Sequence, residues 1–303
     1  MSEPVLDPRA QRIAVPSQIL GITKHCYVYL PPDLPPGQRV PALYLLRGHE
    51  REWVNRHEDQ SRQGTAIDVY ERLRTTGAVG PLLLVFPGLA SDDNSVPSML
   101  SDMAAPERTT AAGIGSGAFQ RFFFAELLPL MEQRFQAHPR ARAIGGFSLG
   151  GLMALKAVAL QPEQFASISC FDGTVLYASD GGLAPRQSDP VLANPLFDAA
   201  LDRPRNWQQI AADHPIPALL RADRAALRAI TWMVQYGPES IEPWGSNFYR
   251  GEYLLRVLQA LGIQHALPVA ALPHGEHTWR CADQHLTETL PLHWQAVRRR
   301  MQA

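Results

Sequence analysis

Cysteine and lysine are scarce in this 303-residue chain. Cys26, Cys170 and Cys281 are its three cysteines. They are odd in number, far apart and without C-x-x-C spacing, which argues against a disulfide framework or a thiolate metal site. Lys24 and Lys156 are the lysines, so arginine carries nearly all the positive charge. That trait fits a GC-rich coding sequence and implies no function. Charge of one sign is not in excess either, since the formal net charge is -1. This speaks against a nucleic-acid surface or a polybasic membrane patch. No apolar run is long enough to span a bilayer, and residues 1–11, with Glu3, Asp7 and Arg9, lack the apolar centre of a signal peptide. The expectation is a cytoplasmic protein with no nucleic-acid or membrane partner.

Cofactor fingerprints are missing too. There is no H-E-x-x-H, no P-loop and no dinucleotide motif. The run Gly113-Ile114-Gly115-Ser116-Gly117 follows no apolar strand, and Asp92-Asp93 reads as a pair of solvated carboxylates. No metal and no organic cofactor are expected.

What remains is ordinary globular composition, 46% hydrophobic and 19% charged. Short apolar strands are predicted over 26–30, 42–46, 82–86, 141–145, 165–171, 229–236 and 265–272. Helices are predicted over 68–74, 119–135, 149–160, 249–261 and 286–301, with Pro129 bending the second. Buried strands alternating with helices predict an α/β fold: a mostly parallel central sheet with helices on both faces. Residues 173–228, rich in Pro, Asp, Ala and Arg, read as a substrate-side insertion or lid within a single domain spanning 1–303. In such sheets chemistry gathers at the carboxyl ends of the strands.

The most informative stretch is Gly146-Phe147-Ser148-Leu149-Gly150. The pattern G-x-S-x-G alone is weak, but here an apolar strand precedes it and an apolar helix follows. That context suits a nucleophile elbow, a tight strand-to-helix turn that presents a serine and tolerates only small neighbours. A serine hydroxyl needs an adjacent base oriented by an acid. Only a histidine after the last strand keeps the chain order serine, acid, histidine. His277, in Gly275-Glu276-His277-Thr278-Trp279, is the candidate base, and His274 its rival. His285 and His293 are assigned to the surface of the final helix.

Several motifs together resemble one family. They are Leu45-Leu46-Arg47-Gly48-His49, Phe123-Phe124-Ala125-Glu126-Leu127-Leu128-Pro129, the elbow within 145–151, and Gly275-Glu276-His277-Thr278-Trp279. Over roughly residues 17–295 the chain looks like the putative-esterase (esterase D-like) group of α/β-hydrolases. That group includes enterochelin esterases, feruloyl esterases, S-formylglutathione hydrolases and mycolyltransferases. The resemblance implies Ser148 as nucleophile and His277 as base. It implies an oxyanion hole from the Leu149 backbone amide and one on the loop after strand 42–46, for which His49 is chosen.

The acid departs from the family pattern, which expects it three residues after the glycine that ends a late strand. Ser240 stands there. Glu239 is preferred as the acid; Glu242, Asp172 or a Ser–His pair without an acid are the alternatives. The expected activity is hydrolysis of a small-molecule carboxylic ester or thioester through an acyl-enzyme. Competing readings are an acyltransferase and a non-catalytic binding protein on the same fold.

Overall fold

A computed structural model describes residues 4–35, 37–175, 189–242 and 244–302. Its centre is a seven-stranded sheet: β1 (Gln11–Ser17), β2 (Ile22–Tyr29), β3 (Val40–Leu46), β4 (Leu83–Pro87), β5 (Ala137–Phe147), β6 (Ser167–Phe171) and β7 (Thr231–Gln235). The spatial order is β1-β2-β4-β3-β5-β6-β7. The pairs β1/β2 and β2/β4 are antiparallel, and the other four are parallel. The sheet is thus mostly parallel, as expected, and it carries helices on both faces.

The strand pleat sends alternate residues to opposite faces. Leu43 and Leu45 pack with one buried cluster, whereas Ala42, Tyr44 and Leu46 pack with the other. The first cluster is covered by α1 (Ala66–Thr75). The second is covered by α2 (Leu149–Leu160), whose apolar residues run nearly all round it. Helix α3 (Phe248–Ala260) joins α2, and α4 (Trp279–Gln302) joins α1. Helix α1 begins with a reciprocal cap: Thr65 accepts from the Asp68 amide while the Asp68 carboxylate accepts from the Thr65 amide. All three cysteines are buried free thiols.

Several expectations change. Strand β1 is absent from the sequence reading, although Ile13, Val15 and Ser17 are its alternating buried positions. The predicted strand over 265–272 does not form. Only single bridges join His265 to Trp232 and Ala271 to Tyr236. Pro268 lies between them and lacks the N–H a ladder needs. The helix over 119–135 is not uniform. Its middle, Phe123–Leu127, widens into a π-turn before Leu128–Arg134. Pro129 removes one donor from the regular ladder there. Helix α4 begins earlier than predicted, at Trp279. His285 and His293 lie on its buried side, not at the surface.

Of the insertion predicted over 173–228, residues 176–188 lie outside the described residues. The part from Pro190 to Arg228 forms short helices that bury Ile210, Ile216, Leu219 and Leu227 in the cluster around α2. Buried Lys156 of α2 holds them by its bond to Asp213, which also accepts from the Ser101 hydroxyl. Burial pulls the Lys156 ammonium below its usual range, against the pull of Asp213. Among the described residues no helix is long and apolar enough to cross a membrane.

Candidate active site

Between β5 and α2 the chain turns at Ser148, with φ 57° and ψ −120°. A non-glycine residue rarely adopts such a backbone, so the surroundings must hold it. The Ser148 amide donates to Phe171 O at 3.0 Å, and its carbonyl accepts from the amides of Gly151 and Thr174, each at 3.0 Å. The glycines explain why bulk is excluded. A β-carbon on Gly146 would lie 2.1 Å from Gly150 O, and one on Gly150 would lie 1.9 Å from Leu46 O. Leu149 is the first residue of α2, so its N–H has no carbonyl partner within the helix. The Ser148 hydroxyl is largely buried and lies 3.3 Å from the Thr174 hydroxyl.

His277 arrives from the other end of the chain. Its amide donates to Gly245 O at 2.8 Å, and its ring packs on Phe147, the residue before Ser148, with centroids 4.7 Å apart. The next turn is pinned. The Trp279 amide donates to Asp59 at 2.9 Å, while the Arg62 guanidinium lies over the Trp279 ring and bonds Asp283. Gly237 is small because Gly275 O passes 2.6 Å from where its β-carbon would stand.

The acid beside His277 is Asp172, at the exit of β6. The His277 Nδ1–H donates to Asp172 Oδ2. Asp172 has no solvent exposure and sits at φ 45°. Its Oδ1 accepts from the amides of Asn247 at 2.9 Å and Gly237 at 3.2 Å, and its Oδ2 from the Asn247 side chain at 3.3 Å. A buried carboxylate with this many donors is held in a fixed orientation.

Glu239, the preferred acid, is not at His277. It is exposed and accepts from the Tyr249 hydroxyl. Glu242 has a different duty: its Oε2 accepts from the Phe248 amide at 2.6 Å and so caps the start of α3. Burial raises the Glu242 carboxyl above its ordinary range. Asn247 occupies the N-cap position but makes no side-chain cap bond; its Nδ2 donates to Asp172. Asn247 and Thr174 were missed in the sequence. An Asn just before an apolar helix was the available signal for the first.

His49 also differs from expectation. Its backbone N–H already donates to Glu52 Oε2 at 2.6 Å, so it is not free to hold an oxyanion in this arrangement. Its ring is buried, with Nε2 3.0 Å from Asp92 O and Nδ1 3.1 Å from Glu50 Oε2. Two open grooves of about 490 and 690 Å³, lined around Arg299 and around Arg72, include none of Ser148, His277 and Asp172.

Residues 17–280 match the family model described as Putative esterase. The chain belongs to this family. A Mycobacterium tuberculosis esterase is 26% identical over 224 residues, covering 69% of this chain and 43% of the relative. The aligned part of this esterase-family chain therefore spans less than half of that relative's length. Among solved structures, a ferulic acid esterase superposes with a TM-score of 0.66 at 19% identity, over 95% of this chain and 98% of that one. An S-formylglutathione hydrolase from Agrobacterium tumefaciens gives 0.65 at 16% identity, over 97% and 98%. The enterobactin esterase FES from Shigella flexneri gives 0.57 at 18% identity, over 96% of this chain and 61% of that one. At these identities the superpositions establish the α/β-hydrolase fold.

Proposed function

We propose that this esterase-family chain is a serine hydrolase of carboxylic esters or thioesters, with Ser148, His277 and Asp172 as its catalytic triad. The observation that carries the reading is the pairing of His277 with buried Asp172 beside a serine held in a strained turn. Asp172 fixes the imidazole with its proton on Nδ1, which leaves Nε2 as the base. Ser148 Oγ attacks the acyl carbon as Nε2 takes its proton. The carbonyl π pair moves onto oxygen, where the Leu149 N–H stabilises the charge. The amide of His49 can join only after Glu52 releases it.

Collapse of the intermediate expels the alcohol or thiol, which receives the proton from Nε2. Water, activated by the same nitrogen, then cleaves the acyl-enzyme to the acid and restores Ser148. The helices from Pro190 to Arg228 are proposed to border the substrate side. The residues need no cofactor for these steps.

Treatment with a fluorophosphonate should label Ser148, located by mass spectrometry. Ser148→Ala should lose the label and about 10⁴-fold or more of p-nitrophenyl ester turnover. Full labelling or full turnover in that variant would end the proposal. Product analysis with an added alcohol separates hydrolysis from acyl transfer.

A further inference from the structure

Arg47 is the middle residue of the run Leu45-Leu46-Arg47-Gly48-His49, and no step above uses it. Its backbone abuts the serine turn: a β-carbon on Gly150 would lie 3.0 Å from Arg47 N. Its guanidinium sits 5.3 Å over the Phe147 ring, the ring that also packs His277. The side chain is 22% exposed, so the cation is mostly withdrawn from water without being sealed off.

Its hydrogen bonding is incomplete. The nearest carboxylate oxygen, Glu52 Oε1, is 3.6 Å from Nε, beyond hydrogen-bond distance. The other oxygen of Glu52 is taken by the His49 amide. Among the described residues the buried Nε has no hydrogen-bond partner. Arg142 shares an unpartnered Nε, but it and the other arginines drawn into the interior fill their terminal nitrogens. Arg62, Arg142 and Arg250 each place their terminal nitrogens on carboxylates, carbonyls or a side-chain amide. A partly exposed guanidinium whose terminal nitrogens bond no described side chain or carbonyl is open to a ligand, and its planar shape matches a carboxylate.

We propose that Arg47 is a substrate-binding residue that receives a carboxylate carried by the ester close to the scissile carbonyl. The preferred substrates are then half-esters or carboxylate-bearing esters, not neutral ones. This inference rests on the hydrolase reading above.

The test compares two matched pairs of probes. Mono-p-nitrophenyl glutarate against p-nitrophenyl valerate puts the charge on the acyl side. 4-Acetoxybenzoate against its methyl ester puts it on the leaving group. Ser148→Ala supplies the blank for spontaneous hydrolysis. The wild-type protein should favour the charged member of at least one pair in kcat/KM, mainly through KM. Arg47→Gln should lower that charged-to-neutral ratio by roughly 10- to 100-fold, and Arg47→Lys should restore part of it. Because the ratio is taken within each variant, partial loss of folded protein cancels.

A wild-type preference for the neutral member of both pairs, or no preference in either, overturns the proposal. So does a preference that survives Arg47→Gln. Absence of Ser148-dependent turnover for all four probes, with no fluorophosphonate label on Ser148, is a different failure. It would overturn the hydrolase reading itself, and the inference with it.

Discussion

The exits of β6 and β7 lie side by side, and both carry acidic residues, yet they do different work. Asp172, directly after β6, is fully buried and accepts from two backbone amides and one side-chain amide besides His277. Glu239 and Glu242, after β7, serve the tyrosine hydroxyl of Tyr249 and the start of α3. Both loops are close enough to share donors, since Gly237 and Asn247 of the β7 loop supply Asp172. A carboxylate becomes an orienting group through the donors that converge on it, and not through its distance along the chain from a glycine.

The largest effect that could break this contrast is Asp172→Asn. It should reduce kcat by roughly 10³- to 10⁴-fold, because the amide lets the imidazole adopt the wrong tautomer. A steady-state ester assay on protein with a normal melting curve decides it, and a loss below tenfold would return the acid to another residue. Next comes Asn247→Ala, which removes one donor from Asp172 while leaving the carboxylate. We expect about a tenfold fall in kcat, from the typical worth of one hydrogen bond to a charged group.

A third prediction concerns the sheet face behind β6 and β7. His285 stacks on Phe171 at 5.4 Å and bonds Gln235, while His293 bonds Ser167. Burial holds both imidazoles down to about 3 from 6.5. The unfolded chain gains protons below about 6.5 and the folded chain does not until about 3. Stability is therefore present at neutral pH and is lost as pH falls through that window. Calorimetric Tm between pH 7 and 4 should drop, and His285→Gln should flatten the slope. An unchanged slope would mean that imidazole carries no such penalty. The smallest effect is expected from Glu239→Gln, at most about a twofold change in kcat/KM. A large loss there would restore the acid to the β7 loop.

The serine turn was readable in the chain because its constraint is local. Gly146 and Gly150 face backbone atoms within about 2 Å of where a β-carbon would be. That His277 reaches the serine turn is legible from its place near the end, after the last expected strand, even though that strand reduces to two bridges. The acid was not. Asp172, Glu239 and Glu242 are equivalent as letters, and only the tertiary convergence of Gly237 and Asn247 separates them. The bond from the His49 amide to Glu52 is hidden for the same reason, since nothing in the sequence places that carboxylate there. The burial of His285 and His293 was more accessible. With Thr289 they repeat every four residues along one stripe of α4, beside Leu286, Leu290 and Val297.

The thiol of Cys170 borders the serine turn from beneath, 2.8 Å from where a β-carbon on Gly151 would stand. Burial pushes that thiol up to about 12 and raises Cys26 as well. Neither offers a thiolate at neutral pH, and Cys281 is also shielded from solvent. Alkylating agents aimed at sulfur should therefore pass this protein by. Covalent inactivation by an electrophile at neutral pH then points away from sulfur, to a hydroxyl or an imidazole, and reactive centres can be titrated without first masking the sulfurs of this chain.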